Sequence, residues 1–304
     1  MAFTAKDVQA LREKTGCGMM DCKKALVECD GNMDAAVDYL REKGLASQAK
    51  KSARVAAEGT VAAVVKNGVG ALVELNSETD FVANGEGFKA LAAKIAEIVA
   101  DENPADLDAL LAVSKDGQTV EEMVQELFLA IRENIKVRRF VRYEGKVVSY
   151  IHGGGKIGVL VNFETDAAAD NAELVACGKN IAMQIAAAMN PAYLDEASVP
   201  AEVIEKEKSI MIAQMKDDPK MANKPEMVLG KIVEGKMGKY YKENCLVEQQ
   251  YVIDGDLTVG KYVESVAKAI GTPVKIASYV RFEKGEGIEK RVDDFAAEVA
   301  AMAK

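Results

Sequence analysis

Residues 76–84 read Asn-Ser-Glu-Thr-Asp-Phe-Val-Ala-Asn, a short stretch of acids and hydroxyls around one large aromatic. The apolar run Val69–Leu75 ahead of it predicts a strand, and Phe88–Ala100 behind it predicts a helix. Asp80 and Phe81 therefore fall at a strand-to-helix corner, where side chains project from a scaffold instead of packing within it. Such a pair suits binding, not bond-making. Two readings are open here. Thr79 or Asp80 caps the next helix and Phe81 folds back on the core as a staple, or the corner is turned outward toward another molecule. Elsewhere the chain has no HExxH, no P-loop, no nucleophile elbow and no paired-carboxylate pattern. Its single histidine, His152, cannot build a triad or a metal site alone.

The elements that position the corner occur twice. Shifted by 86 positions, the sequence matches itself without a gap. Glu58-Gly59 falls on Glu144-Gly145, Val61 on Val147, Gly68 on Gly154, Val73 on Val159 and Asn76 on Asn162. Glu78-Thr79-Asp80 falls on Glu164-Thr165-Asp166, Ala90 on Ala176, and Ile95-Ala96 on Ile181-Ala182. Each copy reads strand, strand, corner, helix. Glu-Thr-Asp stands at both corners and is read as the turn and cap. Phe81 matches Ala167 and Val82 matches Ala168, so only the first corner carries a ring that the fold does not require.

The composition fits a two- or three-domain soluble chain. It has 304 residues, 49% of them hydrophobic, with no Trp and 13 Met. A net charge of −9 argues against a general nucleic-acid surface, which needs clustered cations. Residues 1–57 are nearly balanced, with ten Lys/Arg against eight Asp/Glu. The five cysteines form no CxxC, so neither a disulfide framework nor a metal site is expected. Lys6, Asp7, Arg12 and Glu13 interrupt any signal-like segment, and Ile181–Met189 is half a membrane span. These features point to a cytoplasmic protein without a cofactor.

Residues 4–44 predict three helices, the first opened by Thr4 and Asp7 and the third, from Met33, closed by Gly44. Met19 and Met20 follow a glycine turn, and at least one is expected to pack inward. Residues 45–57 read as a linker. Asn67-Gly68 signals a hairpin. A further helix is expected over Thr119–Ile135, and Gly85 and Gly87 suggest a loose descent from the corner. His152-Gly-Gly-Gly-Lys156 joins two strands. It is no phosphate cradle, because no helix N-terminus follows. Ala201–Lys216 and Glu226–Tyr241 read as an antiparallel helical hairpin. Leu246–Val252 is expected to rejoin the sheet, followed by a helix at Thr258–Ile270 and a strand at Val274–Glu283. A last helix, Val292–Met302, shows Phe295, Val299 and Met302 on one side.

Thr79-Asp-Phe-Val-Ala-Asn84 and Leu11-Arg-Glu-Lys-Thr-Gly-Cys-Gly-Met-Met-Asp-Cys-Lys-Lys-Ala-Leu26 resemble the signatures of the bacterial translation elongation factor Ts family. Ser149–Gly153 and Arg281–Lys290 extend the resemblance over nearly the whole chain. It implies an α+β fold with a ubiquitin-associated-like three-helix head at 1–57. A duplicated core with antiparallel sheets follows at 58–142 and 143–283. A coiled-coil insertion lies at about 200–242, and a C-terminal helical module at 284–304. It further implies a guanine nucleotide exchange factor, not an enzyme. The partner would be elongation factor Tu, GDP-bound and nucleotide-free. Asp80, Phe81, Val82 and Ala83 would dislocate its Mg²⁺. Arg12, Met19, Met20, His152 and Phe295 would make other partner contacts, and the hairpin would serve self-association. No direct nucleic acid or membrane contact is implied. Two other classes are open to the residues themselves: a protein-interaction adaptor that uses the three-helix head, and an enzyme with an active site outside the known motifs, for which His152 would be the residue to test.

Overall fold

The computed structural model describes residues 3–187, 191–218 and 224–289. Helices α1 (Ala5–Thr15), α2 (Met19–Glu28) and α3 (Met33–Lys51) open the chain. The Asp7 carboxylate accepts from the Thr4 amide at 2.7 Å and its hydroxyl at 2.8 Å, which fixes the start of α1 and lowers the Asp7 pKa. Leu11, Cys22, Leu26, Ala36 and Leu40 make the head's core, completed by Phe128 and Leu129 from a later helix. So small a unit cannot bury enough surface alone and borrows a wall.

That wall explains a difference from the expected third helix. Gly44 does not end α3, which runs on to Lys51 through most of the expected linker. A Cβ on Gly44 would lie 2.1 Å from Leu129 Cδ2. The glycine permits close approach of two helices; it is not a stop.

Strands β1 (Glu58–Lys66) and β2 (Val69–Ser77) form the first hairpin. Asn67 and Gly68 both take positive φ, 51° and 75°, as the tight Asn-Gly turn demands. Then come α4 (Asp80–Asn84), α5 (Glu86–Glu102), α6 (Leu107–Ala112), the two-residue strands β3 (Ser114–Lys115) and β4 (Gln118–Thr119), and α7 (Val120–Ile131). Helix α7 stops four residues short of Ile135, because Arg132 enters the left-handed region at φ 66° and caps it. Strand β5 (Lys136–Glu144) completes an antiparallel sheet in the order β1-β2-β5.

The second half repeats this plan. Strands β6 (Lys146–His152) and β7 (Ile157–Thr165) lead into α8 (Ala172–Ala186). The helical hairpin α9 (Ala201–Asp217) and α10 (Glu226–Asn244) follows, packed on itself through Met215, Leu229, Val233 and Met237. After α11 (Val259–Ile270), β8 (Val274–Glu283) takes the third place in the sheet β6-β7-β8. Residues 246–252 do not rejoin the sheet. They make a 3-10 turn at Leu246–Glu248. The buried Gln184 side chain donates to the Gln250 carbonyl at 3.1 Å and accepts from the Val252 amide at 2.9 Å. With those groups satisfied by a side chain, pairing with a strand is not needed.

The fold is α+β in four layers. The sheets meet through Val61, Leu72, Val147, Leu160 and Phe282, while α5 and α7 cover one outer face and α8 and α11 the other. The 86-residue repeat has a physical basis. Asn76 Nδ2 donates to the Glu58 carbonyl at 3.0 Å, and Asn162 Nδ2 to the Glu144 carbonyl at 3.0 Å. The adjacent Gly59 and Gly145 sit at φ 147° and 127°. A Cβ on Gly59 would lie 2.2 Å from the Leu75 carbonyl oxygen, so only glycine fits.

All five cysteines are free thiols, and burial pushes Cys177 up to about 12 and Cys245 up to about 11. No helix among the described residues is long and apolar enough to cross a membrane. The expected helix at Val292–Met302, with Phe295, lies outside the described residues.

Candidate partner-binding site

The corner after β2 is held from both sides. Thr79 is the N-cap of α4, and its hydroxyl accepts from the Val82 amide at 3.4 Å. The Glu133 carboxylate takes both Thr79 donors, the hydroxyl at 2.6 Å and the amide at 3.0 Å. Glu78 accepts from the Asn134 amide at 2.7 Å and pairs with Arg54 at 3.3 Å. Ser77 donates to the Thr79 carbonyl at 3.0 Å. Glu-Thr is therefore the architectural part of the motif, and Thr79, not Asp80, caps the helix.

Helix α4 then turns its residues in opposite directions. Ala83 is 3% exposed and packs with Phe88 and Leu75, while Val82 is half-buried against the same core. Phe81 is 88% exposed, and Asp80 beside it is exposed as well. Phe81 is no staple, because Ala83 fills the inward position two residues on, about 200° round the helix. Of the four residues assigned to the corner's contact, Asp80 and Phe81 face outward. Ala83 is the helix's foot in the core, so a visitor would not meet it. Gly85, with an ordinary φ of −63°, is shared as the cap of α4 and of α5. The descent is thus fixed by two abutting helices instead of loose.

The second corner differs. Thr165 Oγ1 accepts from the Ala167 amide at 3.2 Å, and no helix forms before α8. Ala167, the match of Phe81, is 7% exposed and belongs to the core. Matched positions in the repeat thus point in opposite directions. The asymmetry lies in backbone conformation as well as in side-chain size.

In the head, Met20 is 74% and Met19 44% exposed, and Arg12 on α1 is exposed too. Neither methionine is buried, contrary to expectation, because Cys22, Ala25 and Leu26 already fill the inward face of α2. One residue further on, Asp21 accepts from Arg132 Nη2 at 2.8 Å, beside the Glu133 that grips Thr79. The bonding therefore ties the methionine turn to the corner. His152 is exposed at the end of β6, its Nδ1 3.1 Å from the Tyr150 hydroxyl. Its loop spans residues 153–156, against residues 67 and 68 in the first hairpin. The Gly155 carbonyl accepts from the Val61 amide at 2.8 Å, which pins that tip near the end of β1 that pairs with Ser77.

Sequence reasoning missed Arg132 and Glu133, whose roles depend on contacts far apart in the chain. It also missed the exposed neighbours Val252 (52%) and Ile253 (59%). The adjacency of two apolar residues ahead of an Asp-Gly-Asp turn was their available signal. Among the described residues no group of three or more His, Cys, Asp and Glu is placed to hold a metal.

A family model described as Elongation factor TS matches residues 78–286. The chain is similar over its whole length to the Elongation factor Ts of Syntrophotalea carbinolica, 52% identical with 100% of each chain covered. It is 50% identical to that of Clostridium perfringens and 48% identical to that of Magnetococcus marinus, with 99% of each chain covered in both cases.

Proposed function

The chain belongs to the elongation factor Ts family, and so to the elongation factors of protein biosynthesis; on that basis we propose that it is the guanine nucleotide exchange factor of elongation factor Tu. The observation that carries this reading is a large ring, 88% exposed, on a short helix that is capped, clamped and seated on the core. A side chain so fully hydrated and so firmly based is suited to insertion into a partner, because the apolar area it loses from water contributes to binding.

GTPases hold GDP through backbone donors, a lysine and a Mg²⁺ ion around the phosphates. Mg²⁺ demands a near-ideal octahedral shell, so displacing one ligand-bearing element loosens the ion. Phe81, wedged between helices of the G domain, would shift that element. Asp80, next to it, would bring negative charge toward the anionic site. Two unit charges at roughly 4 Å interact by about 4 kcal/mol near a protein surface, so small displacements matter. Linkage then requires that GDP weaken the factor as much as the factor weakens GDP. Exchange passes through a nucleotide-free complex, and no covalent step by this chain is needed.

Arg12, Met19, Met20 and the His152 tip would supply contacts that offset the distortion. Phe295 would add to them from the C-terminal module. We read residues 1–57 as the head, 58–142 and 143–283 as the two core units and 284–304 as the end module. Self-association through α9 and α10 remains part of the proposal. The test is release of labelled GDP from elongation factor Tu. Phe81→Ala should slow stimulated release by roughly tenfold or more while complex formation persists; unchanged release would remove the proposed role of the ring.

A further inference from the structure

We infer that Glu133 is a positioning residue for Phe81, and that residues 132–134 form a strut joining the head to the corner. The inference rests on the exchange reading above and names a residue which that reading did not contain.

Three consecutive residues grip three separate segments. Arg132 donates to Asp21 at 2.8 Å, and its carbonyl accepts from Lys51 Nζ at 2.5 Å. Glu133 takes both donors of Thr79. The buried Asn134 donates its amide to Glu78 and its side chain to the Arg54 carbonyl at 2.6 Å. The first turn of α2, the tail of α3 and the start of α4 are thereby fixed to one loop. Hydrogen bonds to a carboxylate are among the stronger ones, and two on one acceptor group set direction as well as distance. Two residues after Thr79 comes Phe81.

The second half of the molecule shows that the fold does not require this strut. There Glu164 and Thr165 lie in the ladder, opposite Lys275 and Val274 of β8. The Thr165 hydroxyl accepts from the Ala167 amide, and among the described residues no carboxylate takes the donors of Thr165 as Glu133 takes those of Thr79. Glu164 is exposed, and the second corner forms its turn and sheet nonetheless. The clamp accompanies the exposed ring, not the repeat. Its effect is to remove freedom from a side chain whose task depends on arriving in one orientation.

The chain has no Trp, so Phe81→Trp provides a single fluorescent reporter. On that background Glu133→Ala should lower the steady-state anisotropy of the indole, with no partner present. In the Phe81 protein, Glu133→Ala should cut the maximal rate of stimulated GDP release roughly tenfold and change half-saturation by less than about threefold. In a Phe81→Ala background the same substitution should add nothing further. Glu133→Gln, which keeps one acceptor oxygen, should fall between. It replaces Glu133→Ala should that variant lose its native circular dichroism. Unchanged anisotropy, or a loss of rate that multiplies with that of Phe81→Ala, overturns the inference. Failure of Phe81→Ala itself to slow release overturns the exchange reading instead, and the anisotropy result still stands by itself.

Discussion

The corners after β2 and β7 begin with the same Glu-Thr-Asp and diverge within one residue. In the first, Thr79 caps a short helix, Ala83 packs inward and Phe81 stands in solvent. In the second, Thr165 closes a turn and Ala167 is buried where Phe81 is free. The comparison separates what a strand-to-helix turn needs from what has been added to it. The shared part is a hydroxyl that satisfies an amide left unpaired at the turn. The added part is a helical register that turns a ring outward and a carboxylate from another element that holds the register.

The comparison can be broken by exchanging features between the halves, with stability read from urea unfolding. The largest effect should come from Glu74, two residues before Asn76. It is fully buried, accepts from Arg138 at 3.0 Å, Arg139 at 2.6 Å and the Gly285 amide at 2.8 Å, and has Leu160 as its match. Glu74→Leu should destabilise by about 3 kcal/mol, because two half-buried guanidiniums lose their acceptor. A neutral result would mean that the halves are interchangeable at this position. Next, Ala167→Phe should destabilise by roughly 1–3 kcal/mol through overpacking, and it should bring no gain in GDP release. A gain would show that any ring at either corner suffices.

Smaller effects sharpen the match. Asn76→Ala and Asn162→Ala should each destabilise by about 1 kcal/mol, since each loses the equivalent bond to a carbonyl. Markedly unequal values would argue that the repeat is similar in sequence alone. The smallest change in stability, under about 0.5 kcal/mol, is expected for Phe81→Ala, whose ring touches little of its own chain. A larger loss would return the ring to a structural role. Its effect on exchange should be large all the same.

Much of the architecture was legible from local patterns. Asn67-Gly68 announces its hairpin, Thr4 with Asp7 announces a helix start, and the 86-residue echo announces two like units, because each depends on neighbours in the chain. The Phe81 corner was legible as an anomaly within that echo. The extension of α3 past Gly44 was not, since the reason is a leucine 85 positions away. The failure of residues 246–252 to join the sheet was not legible either. It depends on Gln184, a residue whose hydrogen bonds are chosen only when the elements meet.

The amino-acid order by itself determined the elements, their duplication and the presence of one ring without a counterpart. Those are consequences of backbone preference and periodicity, which act over a few residues. Whether that ring faced water or the core, and what held it there, was decided by packing. Phe81 is free because Ala83 occupies the inward place, and steady because Glu133, from beyond another helix, takes both donors of Thr79. Contacts of that span exist only after the chain has closed on itself.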